Sequence, residues 1–264
     1  MMKHEKKWVT FENGAKTLYG VIHMPVDKDP FPGVVIFHGF GGNKCGKHRL
    51  YVREAMKLVE AGIAVLRFDF RGAGDSDGDF CEVDLDSEVS DAIRGVDYLS
   101  NLPSVDSSRI GLLGRSLGGA IAVLVASQLD HVKSLALWAP VFSAHQWREE
   151  WQQAQQEKTS HFLDEGYVAF EGQLTNVSFV EQFFAMRLEE NIKRLGHLPL
   201  IHFHGEQDTK VNLQHAAYYE KYRSDATAPS RFIRLANSDH DFDDVKDQEL
   251  LLDETSRWFK ETLI

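Results

Sequence analysis

The sequence predicts an α/β fold: a mostly parallel central sheet with helices on both faces and one long insertion. Three observations carry that expectation. Short apolar, β-branched runs alternate with helical stretches from Val34 onward. One junction, Ile110-Gly-Leu-Leu-Gly-Arg-Ser-Leu-Gly-Gly119, passes directly from a buried strand into the small-residue helix Ala120-Ile-Ala-Val-Leu-Val-Ala126. The stretch from Pro140 to Leu198 is far longer than a connection of a few residues requires.

The elements follow in order. Trp8-Val-Thr-Phe11 and Leu18-Tyr-Gly-Val-Ile-His-Met24 flank Asn13-Gly14, which predicts a hairpin with a type I′ turn. Pro30-Phe-Pro-Gly33 breaks the chain before a strand at Val34–Phe37. Further strands are expected at Ile63–Phe70, Ile110–Leu113, Val132–Trp138, Leu198–His204 and Arg231–Leu235. Helical patterns separate them at 50–60, 85–100, 117–128, 212–222 and 245–262. Right-handed βαβ crossovers then make the sheet parallel. Residues 1–140 and 198–264 form the core, and 141–197 an inserted cap. The cap should hold a helical stretch at 144–158, a hairpin around Glu171-Gly172 and a helix at 179–194. Its aromatics, among them Trp147, Phe162, Tyr167 and Phe184, are expected mainly to pack the cap's own core.

Length and charge narrow the function. A chain of 264 residues suffices for one large domain with a full core. A net charge of −11 argues against nucleic acid or an anionic membrane as partner. Cys45 and Cys81 lack any zinc spacing and read as reduced thiols of a cytoplasmic protein. The start, Met1-Met-Lys-His-Glu-Lys-Lys7, has no apolar core and predicts no signal peptide, and no apolar run approaches a membrane span.

Ligands of such sheets bind beyond the carboxyl ends of the strands, where the reactive residue types gather. At Gly114-Arg-Ser-Leu-Gly118 the glycines relieve a cramped turn whose apex, Ser116, lies at a helix N-terminus. This is the nucleophile-elbow pattern of α/β-hydrolases. His38-Gly39-Phe40-Gly41-Gly42 follows a strand. Its Phe40 N–H, with that of Leu117, is expected to form an oxyanion hole, while His38 reads as a buried, hydrogen-bonded imidazole. In Phe68-Asp-Phe-Arg-Gly-Ala-Gly-Asp-Ser-Asp-Gly78, Asp69 and Arg71 should tie loops together. The glycine spacing does not suit an EF-hand, and the acidic residues from Asp75 to Asp91 read as a solvated face and helix start. Past the strand at 198–204, Asp208 is preferred over Glu206 as the acid. His202 and His204 have no evident third ligand and read as core histidines. Of the histidines that remain, His215 falls in a helical pattern and His240 in a loop, so His240 is the base. Ser116, Asp208 and His240 then follow the chain order serine, acid, histidine.

The chain resembles α/β-hydrolases, and within them bacterial cinnamoyl (feruloyl) esterases. The matching stretches are Ile36-Phe-His-Gly-Phe40, Arg67-Phe-Asp-Phe70 with Gly74-Asp-Ser-Asp-Gly78, His204-Gly205 with Asp208-Thr209, and Asp239-His240 with Phe242 and Asp244. The resemblance implies the same triad, no cofactor, no metal and hydrolysis of carboxylic esters. Arg115 and Leu117 stand where that family commonly has His and Gln. The expected function is a serine carboxylesterase for small or hydroxycinnamoyl esters. Acyl thioesters, lipids or peptides are alternatives for the same triad, and a non-catalytic receptor is the remote one. The expected partners are a small-molecule ester and at most a second copy of the chain. Trp147, Tyr167 and Gln146 are the cap side chains expected to meet the substrate.

Overall fold

A computed structural model describes residues 4–26, 30–156, 166–170 and 173–264. Strands β1 (His4–Asn13) and β2 (Lys16–Pro25) form the expected hairpin, with Gly14-Ala15 as its turn. A type I′ turn needs positive φ at both central residues. Only Gly14 has it (φ 62°), which is the II′ pattern with glycine first. Strand β3 (Phe31–Phe37) starts earlier than expected. Pro32 sits where the pairing register to the neighbouring strand shifts, an irregularity that accommodates its missing N–H.

Helix α1 (Leu50–Glu60), strand β4 (Ala64–Phe68) and helix α2 (Leu85–Ser100) follow. Asp84 caps α2 by accepting from the Ser87 N–H at 2.8 Å, while the Ser87 hydroxyl accepts from the Asp84 N–H at 3.1 Å. Strand β5 (Val105–Arg115), helix α3 (Leu117–Ala126) and strand β6 (Val132–Trp138) come next. The acidic residues after β4 are mostly solvated as expected, Asp75, Asp77, Asp79, Glu82 and Asp86 being exposed, but two carboxylates of α2 are not. Asp91 is fully buried and takes the Arg71 guanidinium at 2.6 Å, Glu88 is buried too, and Asp75 is tied to the buried Lys44. Asp69 accepts from both the N–H and the ammonium of Lys44. The Asp69–Lys44 pair joins two loops, as expected, whereas Arg71 ties its loop to helix α2.

Between β6 and the next strand of the main sheet lie helix α4 (Arg148–Gln156), a hairpin of β7 (Tyr167–Phe170) and β8 (Gln173–Asn176), helix α5 (Val177–Ala185) and helix α6 (Glu189–Arg194). The single helix expected over 179–194 is thus two. Met186 turns extended (ψ 132°), and α6 restarts with Glu189 and Glu190 in its first turn. Phe162 and the hairpin turn Glu171-Gly172 lie outside the described residues. Strand β9 (Leu200–Gly205), helix α7 (Leu213–Tyr222), strand β10 (Ser230–Leu235) and helix α8 (Val245–Leu263) complete the chain.

The main sheet runs β1-β2-β4-β3-β5-β6-β9-β10. The first two pairings are antiparallel and the rest parallel. Each face carries its own apolar layer. Leu58, Trp258 and Phe259 of α1 and α8 fill one, and Val96, Ile121 and Tyr219 of α2, α3 and α7 help fill the other. Burying both faces explains why the parallel strands read as unbroken apolar runs. Among the described residues no helix is long and apolar enough to cross a membrane.

Candidate active site

Ser116 stands between the last residue of β5 and the first of α3 with φ 56° and ψ −123°, a conformation that side chains rarely adopt. Its backbone is held on both sides. Its N–H donates to the Trp138 carbonyl at 2.9 Å, and its carbonyl accepts from Gly119 and Val141 at 3.0 and 3.1 Å. The flanking glycines make this approach feasible. A Cβ at Gly114 would lie 2.1 Å from the Gly118 carbonyl oxygen, and one at Gly118 would lie 2.4 Å from the Phe37 and His38 carbonyls.

Three side chains from three strand ends form one hydrogen-bonded row. His240 Nε2 lies 3.0 Å from Ser116 Oγ, and its Nδ1 lies 2.7 Å from Asp208 Oδ2. With Asp208 ionised, Nδ1 carries the proton and Nε2 is free to accept from the serine hydroxyl. The other carboxylate oxygen of Asp208 accepts from the Lys210 and Val211 N–H groups at 2.9 and 2.8 Å. Burial would raise the Asp208 carboxyl. Hydrogen bonds from His204, His240 and Val211 outweigh it and hold the group well below the usual carboxylate range. Burial pushes the His240 imidazole down. Asp208 opposes the shift and the Arg115 cation adds to it.

The residues set aside on sequence grounds lie elsewhere. Glu206 is exposed. His215 is buried, accepts from the Phe142 N–H at 2.8 Å and meets Gln146 at 2.8 Å. His38 is buried; its Nε2 accepts from the Phe70 N–H at 3.1 Å, so its Nδ1 donates to the Gly39 carbonyl at 2.8 Å. His204 Nε2 reaches the Val211 carbonyl at 2.7 Å and Asp208 at 3.4 Å, and His202 stacks on it. Among the described residues no group of His, Cys, Asp and Glu is placed to hold a metal ion.

A cavity of about 470 Å³ opens over Ser116 and His240. Phe40 and Leu117 line it beside the serine, with Gly39 close enough that a Cβ there would lie 2.9 Å from Ser116 Cβ. Trp147, Phe179 and Phe183 supply its aromatic wall: Phe179 packs tilted against Phe40 and stacks on Phe183, which meets Trp147. Of the three cap residues expected here, only Trp147 lines the cavity. Tyr167 is not among the lining residues; it sits on β7 opposite Asn176. The Gln146 amide is occupied by the Lys210 carbonyl (2.5 Å), the Asn212 N–H (3.2 Å) and His215. Gln173 of β8 lies over Gly41 in its place.

A polar cluster that the sequence did not reveal borders His240. Arg115 donates to the His240 carbonyl at 2.7 Å and to Asp241 at 2.5 Å. Lys47 and Lys210 approach the same Asp241 carboxylate at 2.9 and 3.6 Å.

A sequence model of the Hydrolase_4 family (serine aminopeptidase, S33) matches residues 28–183, more than half of the chain. The chain belongs to that family. As a Hydrolase_4 protein it has an α/β-hydrolase fold, and solved structures agree. Est1E from Butyrivibrio proteoclasticus with bound ferulic acid superposes with a TM-score of 0.78 at 22% identity, over 96% of this chain and 98% of that one. An uncharacterized 31.7 kDa protein of the Escherichia coli traX-finO intergenic region is 34% identical over 42% of this chain and 38% of its own length. Thiohydrolase aneE of Aspergillus aculeatus is 33% identical over 43% of the chain and 35% of that protein. The matches to these two curated relatives thus span less than half the length of each.

Proposed function

We propose that this hydrolase is a serine carboxylesterase acting through an acyl-enzyme. The observation that carries the reading is the row Asp208–His240–Ser116, with spacings of 2.7 and 3.0 Å, at the floor of the cavity. In this mechanism His240 Nε2 takes the Ser116 proton as Oγ attacks the ester carbonyl, and Asp208 stabilises the imidazolium. The Phe40 and Leu117 N–H groups receive the oxyanion. His240 then protonates the departing alcohol, and water, deprotonated by the same imidazole, releases the acid. No cofactor enters the scheme. Residues 141–197 act as a cap over a core of 1–140 and 198–264. The thiols of Cys45 and Cys81 are unpaired, which fits a cytoplasmic setting.

The cavity bears on the acyl group. About 470 Å³ lies within the range of small-molecule sites, and Phe40, Trp147, Phe179 and Phe183 give it flat apolar faces. A hydroxycinnamoyl group suits that wall. The similarity to a thiohydrolase supports acyl thioesters as a second reading, because the same serine attacks either carbonyl.

The test is covalent labelling with a fluorophosphonate, located by mass spectrometry, beside turnover of esters, thioesters and amides sharing one acyl group. The expected result is an adduct on Ser116, ester turnover above amide turnover, and a loss of about 10⁶-fold in Ser116→Ala. Near-normal turnover by Ser116→Ala refutes the mechanism. Methyl hydroxycinnamates should match or exceed methyl butyrate in kcat/KM. A strong preference for butyrate refutes the aromatic acyl assignment alone.

A further inference from the structure

The charge around the cavity contrasts with that of the whole chain. The protein carries −11, yet the described lining residues include Lys47, Arg115 and Lys210 against one carboxylate, Asp241. Arg115 and Asp241 are both largely buried and cancel one another at 2.5 Å. The Lys47 and Lys210 side chains are left 47% and 60% exposed. Lys47 also meets Asp243 at 3.6 Å, but that carboxylate is outside the lining and already takes His48 at 2.6 Å. A positive excess therefore stands at this wall.

Its position relates it to one half of an ester. Asp241 directly follows His240, and His240 must reach the departing oxygen to protonate it. The alcohol half thus leaves toward Lys47 and Lys210. The aromatic row from Phe40 to Trp147 carries no charge and suits the acyl half.

We infer that Lys47 and Lys210 form a subsite for an anionic group, a carboxylate or a phosphate, on the alcohol half of the substrate. The inference rests on the ester-hydrolase reading above. It makes the natural substrate the ester of a hydroxy acid or of a phosphorylated alcohol.

The full-length protein is assayed on butyrate esters of 3-hydroxypropanoate, 3-hydroxypropanamide and 3-hydroxypropyl phosphate. A reversed pair, methyl glutarate half-ester and its terminal amide, puts the carboxylate on the acyl side. Two partly exposed cations should favour the anionic alcohols over the neutral amide by about fivefold in kcat/KM at low salt. That preference should shrink as ionic strength rises to about 0.5 M, where the Debye length falls to about 4 Å. Replacing both lysines, Lys47→Gln with Lys210→Gln, should bring the ratio close to one. Lys133→Gln, on an exposed residue at the start of β6, should leave it intact. A wild-type ratio at or below one overturns the inference. So does a preference that survives loss of both lysines, or one confined to the acyl-side carboxylate. If the wild type turns over the neutral ester, such a failure belongs to the subsite alone. If no ester is hydrolysed, the ester reading falls and this inference falls with it.

Discussion

Arg115 links the two halves of the site, and replacing it should separate its charge from its geometry. Its guanidinium donates to the His240 carbonyl at 2.7 Å and to Asp241 at 2.5 Å, with only 13% of the side chain exposed. Arg115→Met keeps the apolar stem and removes both bonds. Charged hydrogen bonds contribute about 1.5–3 kcal/mol each. Asp241 retains Lys47 and Lys210, so the lower end of the combined range applies, about 3 kcal/mol. For a chain of this size that is a fall in Tm of roughly 6–12 °C. The same change acts on the base. In the proposed mechanism His240 must be neutral to accept the serine proton, so activity should be lost as pH falls through its pKa. The Arg115 cation helps hold that pKa below the ordinary value, after the larger effect of burial. Removing the cation should move the acid limb of kcat/KM to higher pH. Arg115→Lys keeps a charge but on a shorter side chain that cannot place its head group alike, so its acid limb should stay near wild type while Tm still drops. The assay pairs thermal unfolding with pH–rate profiles on one neutral ester. An unchanged Tm with an unmoved limb, or a limb displaced to lower pH, refutes this account of Arg115.

Two further outcomes rest on other contacts. Asp208→Asn should cost about 10⁴-fold in kcat by stabilising the wrong imidazole tautomer, whereas the exposed Glu206→Gln should be close to silent; a worse Glu206 variant would reassign the acid. Burial, then the neighbouring Asp91 and Asp84, raise the Glu88 carboxyl to about 8. The unfolded chain therefore ionises first, and stability is full below its ordinary pKa and declines from there up to about pH 8. Glu88→Gln should flatten that decline in urea unfolding, and parallel curves for variant and wild type would exclude Glu88 as its source.

What the sequence conveyed was set by local pattern. The bounds of α1, α2 and β6 were legible because each joins a clear pattern to a distinct start or stop, such as Asp84 just before α2 with Ser87 in its first turn. The glycines around Ser116 were equally local. The break at Met186 was not, since neither proline nor glycine marks it; only Glu189-Glu190, a favourable helix start, hints at it. The Arg115–Asp241 pair spans 126 positions and has no signature in either segment. Gln146 was chosen for its polar tip, but composition does not tell where a side chain points, and its amide serves three backbone and side-chain partners. Within the acidic run from Asp75 to Asp91, mostly solvated as expected, the buried Glu88 and Asp91 of α2 are the exceptions, for a related reason. Burial of Asp91 depends on Arg71, a pairing brought about by the loop and not by spacing.

The Gln146 contacts also bear on how proteins of this kind diverge. That residue opens the insertion, yet it grips Lys210, Asn212 and His215, the stretch just beyond Asp208. The segment that shapes the pocket is therefore bolted to the loop that carries the acid. Exchanging the insertion for another would not be a neutral graft. A donor lacking an amide at this point would strip partners from three polar groups at once and loosen the seating of Asp208. New substrate ranges are more accessible through point changes on the aromatic wall, at Phe179 or Phe183, than through wholesale replacement. Chimaeras that fail should recover when the donor is given glutamine at the position equivalent to Gln146.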